Sequence, residues 1–350
     1  MNQDPLDSLR VFSVPDVWMQ VAGRPNPFAQ ANLITTSGNS YRNPRSFQVA
    51  FGVERELARG LVVDYQFNQA NTTHLERNVD YNVPRAIIRP GDQSGRPFFG
   101  LRSGTPRPNP NLGSVLVRDS NARSHFVGHT FRAQYRIKKA QLVANYTLSF
   151  NKSDDDNERQ LGGITYQNPF ALSREYHWSS LDSRHQVGAY AIYQAPYGLE
   201  LRTTLRVRSG LPIDASTGTD SSELLSGNIG NRPLEAPGLP FLRNSFRNRG
   251  FKSIDFRILK SFALRETVHL QLSGEIFNLF DFDNVAFLSA DTFPNNPAFI
   301  YGPGISTEGQ EVAPFARFLR SRLASGAYDP QTTAQIGTPL QAQVGIRLRF

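Results

Sequence analysis

The residue types of a hydrolytic triad occur together in one short segment. Histidine, aspartate and three serines lie between His177 and His185, with Asp182 between the two histidines. Serine hydrolases place their nucleophile on a Gly-x-Ser-x-Gly turn between a strand and a helix, and no such turn accompanies this segment. We therefore favour a polar loop that leads into a strand, and we expect no catalytic residues.

A second polar cluster, Asp-Asp-Asp-Asn-Glu at 154–158, offers the hard oxygen ligands that Ca²⁺ prefers. It lacks the ligand spacing and the glycine of an EF-hand loop. The 6 histidines show no metal-binding helix pattern, and the chain has 0 cysteines, which excludes disulfides and thiolate metal sites. We favour a solvated loop tip for 154–158 and expect no metal and no cofactor.

The elements that position these clusters show a period of two. In 341–350 every even position is apolar and every odd position is polar or glycine, and 199–208 follows almost the same rule. Successive side chains of a strand point to opposite faces, so each segment predicts a strand with one apolar face and one face that carries arginines. No stretch approaches the roughly 18 consecutive apolar residues of a membrane helix.

About nine segments alternate in this way, most of them about 10 residues long. A tilted strand needs ~9–11 residues to cross a bilayer, whereas strands of soluble sheets average ~5–6. Length and alternation together predict transmembrane strands. The segments are 46–55, 60–69, 127–137, 140–151, 185–195, 199–208, 253–258, 267–277 and 341–350.

The connections alternate between short ones (56–59, 138–139, 196–198 and 263–266) and long ones (70–123, 152–184, 210–250 and 278–340). Outer-membrane barrels have short periplasmic turns and long extracellular loops. We therefore predict an all-β fold, an incomplete antiparallel transmembrane β-barrel portion over 44–350. Residues 1–43 are predicted as an irregular segment with room for one strand near Phe28–Thr36. Bacterial single-chain barrels have even strand numbers, so we expect at least one further strand.

Arginines recur on the predicted lumen face of the barrel. They form either an electropositive wall that attracts anionic substrates or ion pairs with acids on the same face, and we favour ion pairs. The five candidates are Arg202, Arg206, Arg208, Arg347 and Arg349, and the candidate acids are Glu54, Asp64, Glu200, Asp255 and Glu275. Aromatic residues near strand ends, such as Tyr65, Tyr146 and Phe150, are expected to form interfacial girdles.

Three parts of the chain resemble a known family. Val344-Gly-Ile346-Arg-Leu348-Arg-Phe350 resembles the C-terminal signal that the outer-membrane barrel assembly machinery recognises. The segments 247–262 and 269–284, with Asp-x-Arg and Glu-x-Phe-Asn-Leu-Phe, resemble the end of TonB-dependent receptors. Segments 124–136, 145–155 and 183–193 resemble their Oar-like branch. The resemblance implies a plugged barrel of about 22 strands that binds a ligand at the surface and imports it.

The chain departs from that family because it shows no signal peptide, no plug and no TonB box. We expect the C-terminal part of a receptor in a Gram-negative outer membrane. Its expected partners are outer-membrane lipid, the barrel assembly machinery and, only through the missing N-terminal region, the TonB complex.

Two other functions are alternatives. A soluble or surface-attached β-rich binding module, such as an adhesin, is the main alternative, and it would stay monodisperse without detergent. The net charge of +8 alone suggests a nucleic-acid binder. Because the arginines are scattered and no recognition helix is evident, we expect no nucleic-acid partner.

Overall fold

A computed structural model describes residues 33–38, 41–92, 94–156, 166–217, 220–224, 231–265, 267–287 and 319–350. Nine long antiparallel strands, β1 to β9, lie side by side in chain order within one sheet. The prediction of nine strands is confirmed, since each predicted segment overlaps one of them. The strands are β1 Arg45–Ala58, β2 Leu61–Asp80, β3 Ser114–Ile137, β4 Ala140–Ser153, β5 His185–Ala195, β6 Leu199–Arg208, β7 Phe251–Ala263, β8 His269–Phe277 and β9 Gln341–Arg349.

Apart from the 3₁₀ helix in the short turn after β5, the shorter elements lie at the long-loop end of the sheet. Strand Leu33–Ser37 pairs in parallel with the start of β3, and His177–Trp178 pairs with the end of β4. The other short strands are Pro212–Ile213, Leu234–Ala236, Leu239–Pro240, Phe246–Arg247, Val285–Phe287 and Thr333–Gln335, and the 3₁₀ helices are Leu172–Glu175 and Pro196–Gly198. Among the described residues, no helix has the length and apolar character needed to span a membrane.

The strand register separates polar from apolar side chains across the whole sheet. One row of paired residues runs Glu54, Asp64, Arg132, Asn145, Gly188, Arg206 and Ser253. The adjacent row runs Val53, Tyr65, Phe131, Tyr146, Val187, Val207 and Lys252. Because neighbouring rows point to opposite faces, the sheet has a polar face, here the polar wall, and an apolar face.

The predicted short connections are confirmed. The turn after β1 shows why a glycine is required at position 60. Gly60 has a φ of 77°, and a Cβ there would lie 2.1 Å from the carbonyl oxygen of Arg136. The Gly60 carbonyl in turn accepts a hydrogen bond of 2.7 Å from the amide of Arg136. This position therefore needs a glycine.

The first long loop is shorter than predicted, because β2 and β3 have 20 and 24 residues. They continue past the bilayer-crossing length through β-bulges on either side of Leu75, and His74 has a φ of 59°. A bulge shifts which face a side chain occupies, so the period of two is lost there. Both edge strands, β1 and β9, run from the long-loop end to the short-turn end.

The four long connections fold against one another. We name them L1 (81–113), L2 (154–184), L3 (209–250) and L4 (278–340). Val83 and Phe99 of L1 pack with Leu224 of L3 in a small apolar cluster. The Phe99 amide donates to the Ser222 carbonyl at 2.8 Å, which adds a backbone link between the same two loops.

Candidate functional site

The polar wall carries paired charges. Arg206 Nη2 lies 2.8 Å from Asp255 Oδ2, and Arg202 pairs with Glu200 on the same strand. Arg257 of β7, which is not among the five predicted lumen arginines, lies 2.6 Å from Glu275 of β8. These arginines are partly exposed and the acids are mostly covered, so the pairs neutralise much of the wall.

The remaining predicted lumen cations have no acid opposite them in the register. The Arg208 guanidinium lies 5.8 Å from the centre of the Phe251 ring. Arg347 and Arg349 are exposed on β9, opposite Gln271 and His269 of β8. A ligand contact at any of these five arginines stays a prediction.

Asn278 closes the outer end of the wall between β8 and L4. It is 1% exposed with a φ of 50°, and its amide donates to Asp255 Oδ1 at 3.0 Å. Its side chain accepts from the Phe282 amide at 2.9 Å and donates to the carbonyls of Phe282 and Thr338 at 3.0 and 3.1 Å. The Asp-x-Arg and Glu-x-Phe-Asn segments are thus adjacent parts of one hydrogen-bonded unit.

Three arginines of L3 each pair with an acid of L2. Arg232 pairs with Glu175, Arg243 with Asp156 and Arg247 with Asp182. The first two pairs are almost completely buried, and the Asp182 side chain is 0% exposed. Removing one partner of such a pair leaves an uncompensated charge, so these contacts hold L2 and L3 together.

The acidic cluster is not a solvated loop tip over the residues that the structure describes. Asp154 and Asp155 are only 4% and 3% exposed. Asp154 accepts the Arg123 amide at 2.9 Å, and Asp155 accepts the Tyr166 hydroxyl at 2.7 Å. That interpretation was wrong because the arginines and the tyrosine that bury these acids are remote in sequence. Residues 157 and 158 lie outside the described part.

Burial also shifts the pKa of two loop residues. Burial raises the pKa of Asp154 above its usual value, although Arg77 and Arg123 oppose this shift. Burial lowers the pKa of Arg96 to about 10, and its Nη2 donates to the Arg232 carbonyl at 2.8 Å. Asp154 thus links L2 to β2 and β3, and Arg96 links L1 to L3.

The histidines and aspartate of the triad-like segment point to separate partners. His177 Nδ1 contacts the carbonyl of Arg243, and His185 Nδ1 lies 2.8 Å from the Tyr146 hydroxyl. Asp182 accepts the Asn151 amide at 2.7 Å and binds Arg247. Among the described contacts, no serine hydroxyl reaches the imidazole ring of either histidine, so these residues are not arranged as a catalytic triad.

A cavity of about 510 Å³ lies beside the bulged ends of β2 and β3. Its lining is polar and includes Arg42, His74, Asp119 and Arg123. No periodicity or motif in the sequence marks this cavity. Among described residues, no group of histidines and acids has an arrangement that could hold a metal ion.

The candidate assembly signal forms the last strand. Leu348 and Ile346 pair with Leu270 and Leu272 of β8. The opposite edge of β9 has no neighbouring strand among the described residues. Val344, Ile346 and Phe350 are 90%, 78% and 95% exposed, so an apolar stripe is presented outward.

Comparison with known proteins places this sheet in a family. The profile described as "Outer membrane beta barrel domain" matches residues 4–242, which is more than half of the chain. The chain belongs to this family. The apolar face is therefore the lipid-facing face of an outer-membrane barrel, and the polar wall faces the lumen. The comparison with curated proteins gave no match.

Solved structures of outer-membrane proteins are similar to this chain. The outer membrane transporter YddB from Escherichia coli is 11% identical, with 71% of this chain and 30% of that chain covered and a TM-score of 0.41. The ferripyoverdine receptor of Pseudomonas aeruginosa, bound to ferripyoverdine, is 11% identical, with 70% and 24% covered and a TM-score of 0.36. The chain spans less than a third of either protein.

Proposed function

We propose that the chain is the C-terminal barrel portion of a TonB-dependent, Oar-like outer-membrane receptor. It binds a ligand at the cell surface and imports it together with a plug and further strands outside this chain. The receptor does no covalent chemistry. The observation that carries this proposal is the polar wall, which extends over nine consecutive strands. Barrels of about 8 strands fill their interior with side chains, so a polar wall of this width supports a wide lumen.

The network around Asn278 supports the same proposal. The Asp-x-Arg segment of β7 and the Glu-x-Phe-Asn segment of β8 carried the resemblance to TonB-dependent receptors. Arg257 and Glu275 from these segments form an ion pair, and Asp255 and Asn278 form a hydrogen bond. A shared structural unit gives a physical reason for these residue types to recur together.

The exposed apolar face argues against a soluble adhesin-like module. Phe47, Val53 and Val344 are 66%, 65% and 90% exposed, and no described element packs over them. A soluble module must bury such faces against each other. We expect purified chain to be monodisperse in detergent and to aggregate without it. Monodisperse behaviour in plain buffer would favour the adhesin-like module instead.

The import function is tested on the coding DNA and on its product. The reading frame upstream of Met1 is expected to continue into a plug domain and a signal peptide. The product of that frame should bind the immobilised periplasmic domain of TonB, and a variant that lacks the plug-proximal N-terminal segment should not. A stop codon directly upstream, or equal retention of both proteins, would contradict the proposal.

A further inference from the structure

Acids and cations are distributed unequally between the two faces of the sheet. Below the β-bulges near Leu75, every acidic residue of β1 to β9 lies on the polar wall: Glu54, Glu56, Asp64, Glu200, Asp255 and Glu275. The apolar face carries six basic side chains: Arg45, Arg55, Arg123, Lys152, Lys252 and Lys260. The lipid-facing surface of these strands is therefore positive and has no strand carboxylate of its own.

Four of these cations lie on the outer side of the membrane: three at the long-loop ends of their strands, and Arg123 opposite Thr73, next to the β-bulges. They are Arg45, Arg123, Lys152 and Lys252. Basic side chains at this level attract anionic lipid headgroups, while their aliphatic stems stay in apolar surroundings.

The end of β4 gathers such a cation with aromatic rings. Lys152 and Trp178 are directly paired across neighbouring strands, so both lie on the lipid-facing side. The Lys152 ammonium lies 4.7 Å from the centre of the Trp178 ring. The Arg184 guanidinium lies 4.3 Å from the same ring and 4.6 Å from that of Phe150. Tryptophan is enriched at membrane–water interfaces because its ring is amphipathic.

The cluster has more positive than negative charge. Arg184 and Arg247 both bind the carboxylate of Asp182, whose side chain is 0% exposed. Lys152 has no carboxylate partner among the described residues. The two arginines therefore share one negative charge, and the lysine adds a further positive charge, with no described carboxylate against it, beside a partly buried indole.

We propose that Lys152, Arg184 and Trp178 form a binding site for a phosphate group of the phosphorylated glycolipid that builds the outer leaflet of the outer membrane. The ammonium and the guanidinium bind phosphate oxygens, because lysine and arginine are the usual phosphate-binding side chains. The indole packs against the sugar or the upper acyl region. The site anchors the strand end and L2 to the lipid, and it rests on the outer-membrane location rather than on transport.

Tryptophan fluorescence provides a direct test, because the chain contains only 2 tryptophans. With Trp18→Phe, Trp178 becomes the sole reporter in the purified chain in detergent. The probes are lipopolysaccharide, the same lipid with its phosphates removed, and inorganic phosphate. We expect a saturable change with lipopolysaccharide alone. Equal binding of the dephosphorylated lipid would overturn the phosphate contact, and equal binding of inorganic phosphate would show a free-anion site instead.

Substitutions locate the contact. Lys152→Gln should weaken binding about fivefold, and Lys152→Arg should retain it. The matched control is Lys260→Gln, because Lys260 also lies on the apolar face, 5.3 Å from the ring of Phe262, but at the short-turn end. An equal loss of binding in the Lys260 variant would mean general charge attraction and would overturn the site.

Discussion

The backbone amide of Asn278 donates a hydrogen bond of 3.0 Å to Oδ1 of Asp255, which joins the start of L4 to the polar wall. The same carboxylate binds Arg206 at 2.8 Å and accepts the Ser253 hydroxyl at 2.8 Å. One acid therefore ties β6 and β7 to the entry of L4, which is the last long connection of the sheet. Substitution of Asn278 is the most direct way to test how much this junction stabilises the barrel.

We expect Asn278→Ala to lower the free energy of unfolding by at least about 2 kcal/mol. The change leaves the carbonyls of Phe282 and Thr338 without the donor that Asn278 supplies, and alanine tolerates a φ of 50° poorly. Urea unfolding in lipid vesicles measures the loss. Asn278→Gly is the control that keeps the backbone conformation accessible, and a fully stable glycine variant would show that the side-chain bonds contribute nothing.

The turn glycine is a second test of the fold. Gly60→Ala should cost more than about 1 kcal/mol, because it combines a φ of 77° with a Cβ 2.1 Å from the Arg136 carbonyl oxygen. Gly91→Ala is the matched control, since Gly91 has a φ of 80° with no atom within 4 Å of the added Cβ. If both substitutions lowered the free energy of unfolding equally, the loss would come from the positive φ alone.

The stability of L2 and L3 should depend on their buried ion pairs more than the stability of the polar wall depends on its exposed pairs. Arg232→Ala leaves Glu175, which is 2% exposed, without its partner and should cost about 3–5 kcal/mol. Arg206→Ala removes a side chain that is 60% exposed and should cost less than about 1 kcal/mol. Limited proteolysis of L2 and L3, together with urea unfolding, ranks the two variants. The reverse ranking would contradict the role of the L2–L3 pairs.

The burial of Asp154 predicts how the stability of the chain depends on pH. Burial raises its pKa in the folded state above the value in the unfolded chain, so the folded state holds the proton more tightly. The contribution of this group is then greatest below the unfolded pKa of about 3.9 and is lost as the pH rises through the folded pKa. The stability of the native chain relative to Asp154→Asn should fall as the pH is raised from the acid side. A difference that grows with pH would show that Arg77 and Arg123 outweigh burial.

The terminal strand predicts an assembly defect. Deletion of Phe350 should lower the amount of chain in the outer membrane severalfold, because the proposed signal is the exposed stripe that ends with this ring. Phe280→Ala is the control, since Phe280 is also an exposed phenylalanine, 62% accessible, but lies in L4. Membrane fractionation with quantitative blotting measures both. Normal levels after the deletion would remove Phe350 from the signal.

The nine strands were predictable because one face of the sheet contacts lipid and the other contacts the lumen. Apolar and polar side chains therefore alternate along each strand. Residues 70–80, the outer part of β2, were missed because bulges interrupt the period there and most side chains on both faces are polar. The Arg243–Asp156 and Arg232–Glu175 pairs were missed for another reason. They join residues 57 or more positions apart, and no local pattern encodes which arginine meets which acid.

The Trp178 cluster also escaped prediction. Its members come from β4, from the two-residue strand His177–Trp178 and from the residue before β5. His177, Asp182 and His185 have the residue types of a triad. The residues that we propose to bind lipid are instead the intervening Trp178 and Arg184. Only the pairing of Lys152 with Trp178 across strands brings these groups together.

The edge strands β1 and β9 run in the same direction, and this limits what can complete the barrel. Rotation about the membrane normal preserves the direction of every strand, so a second copy in the same membrane orientation would meet both edges in parallel. An antiparallel seam on each side requires a complement whose own first and last strands run outward. Such a complement has an odd number of strands, and the closed wall then has an even number. Symmetric self-association is thereby ruled out as a route to an all-antiparallel barrel by the nine strands described here.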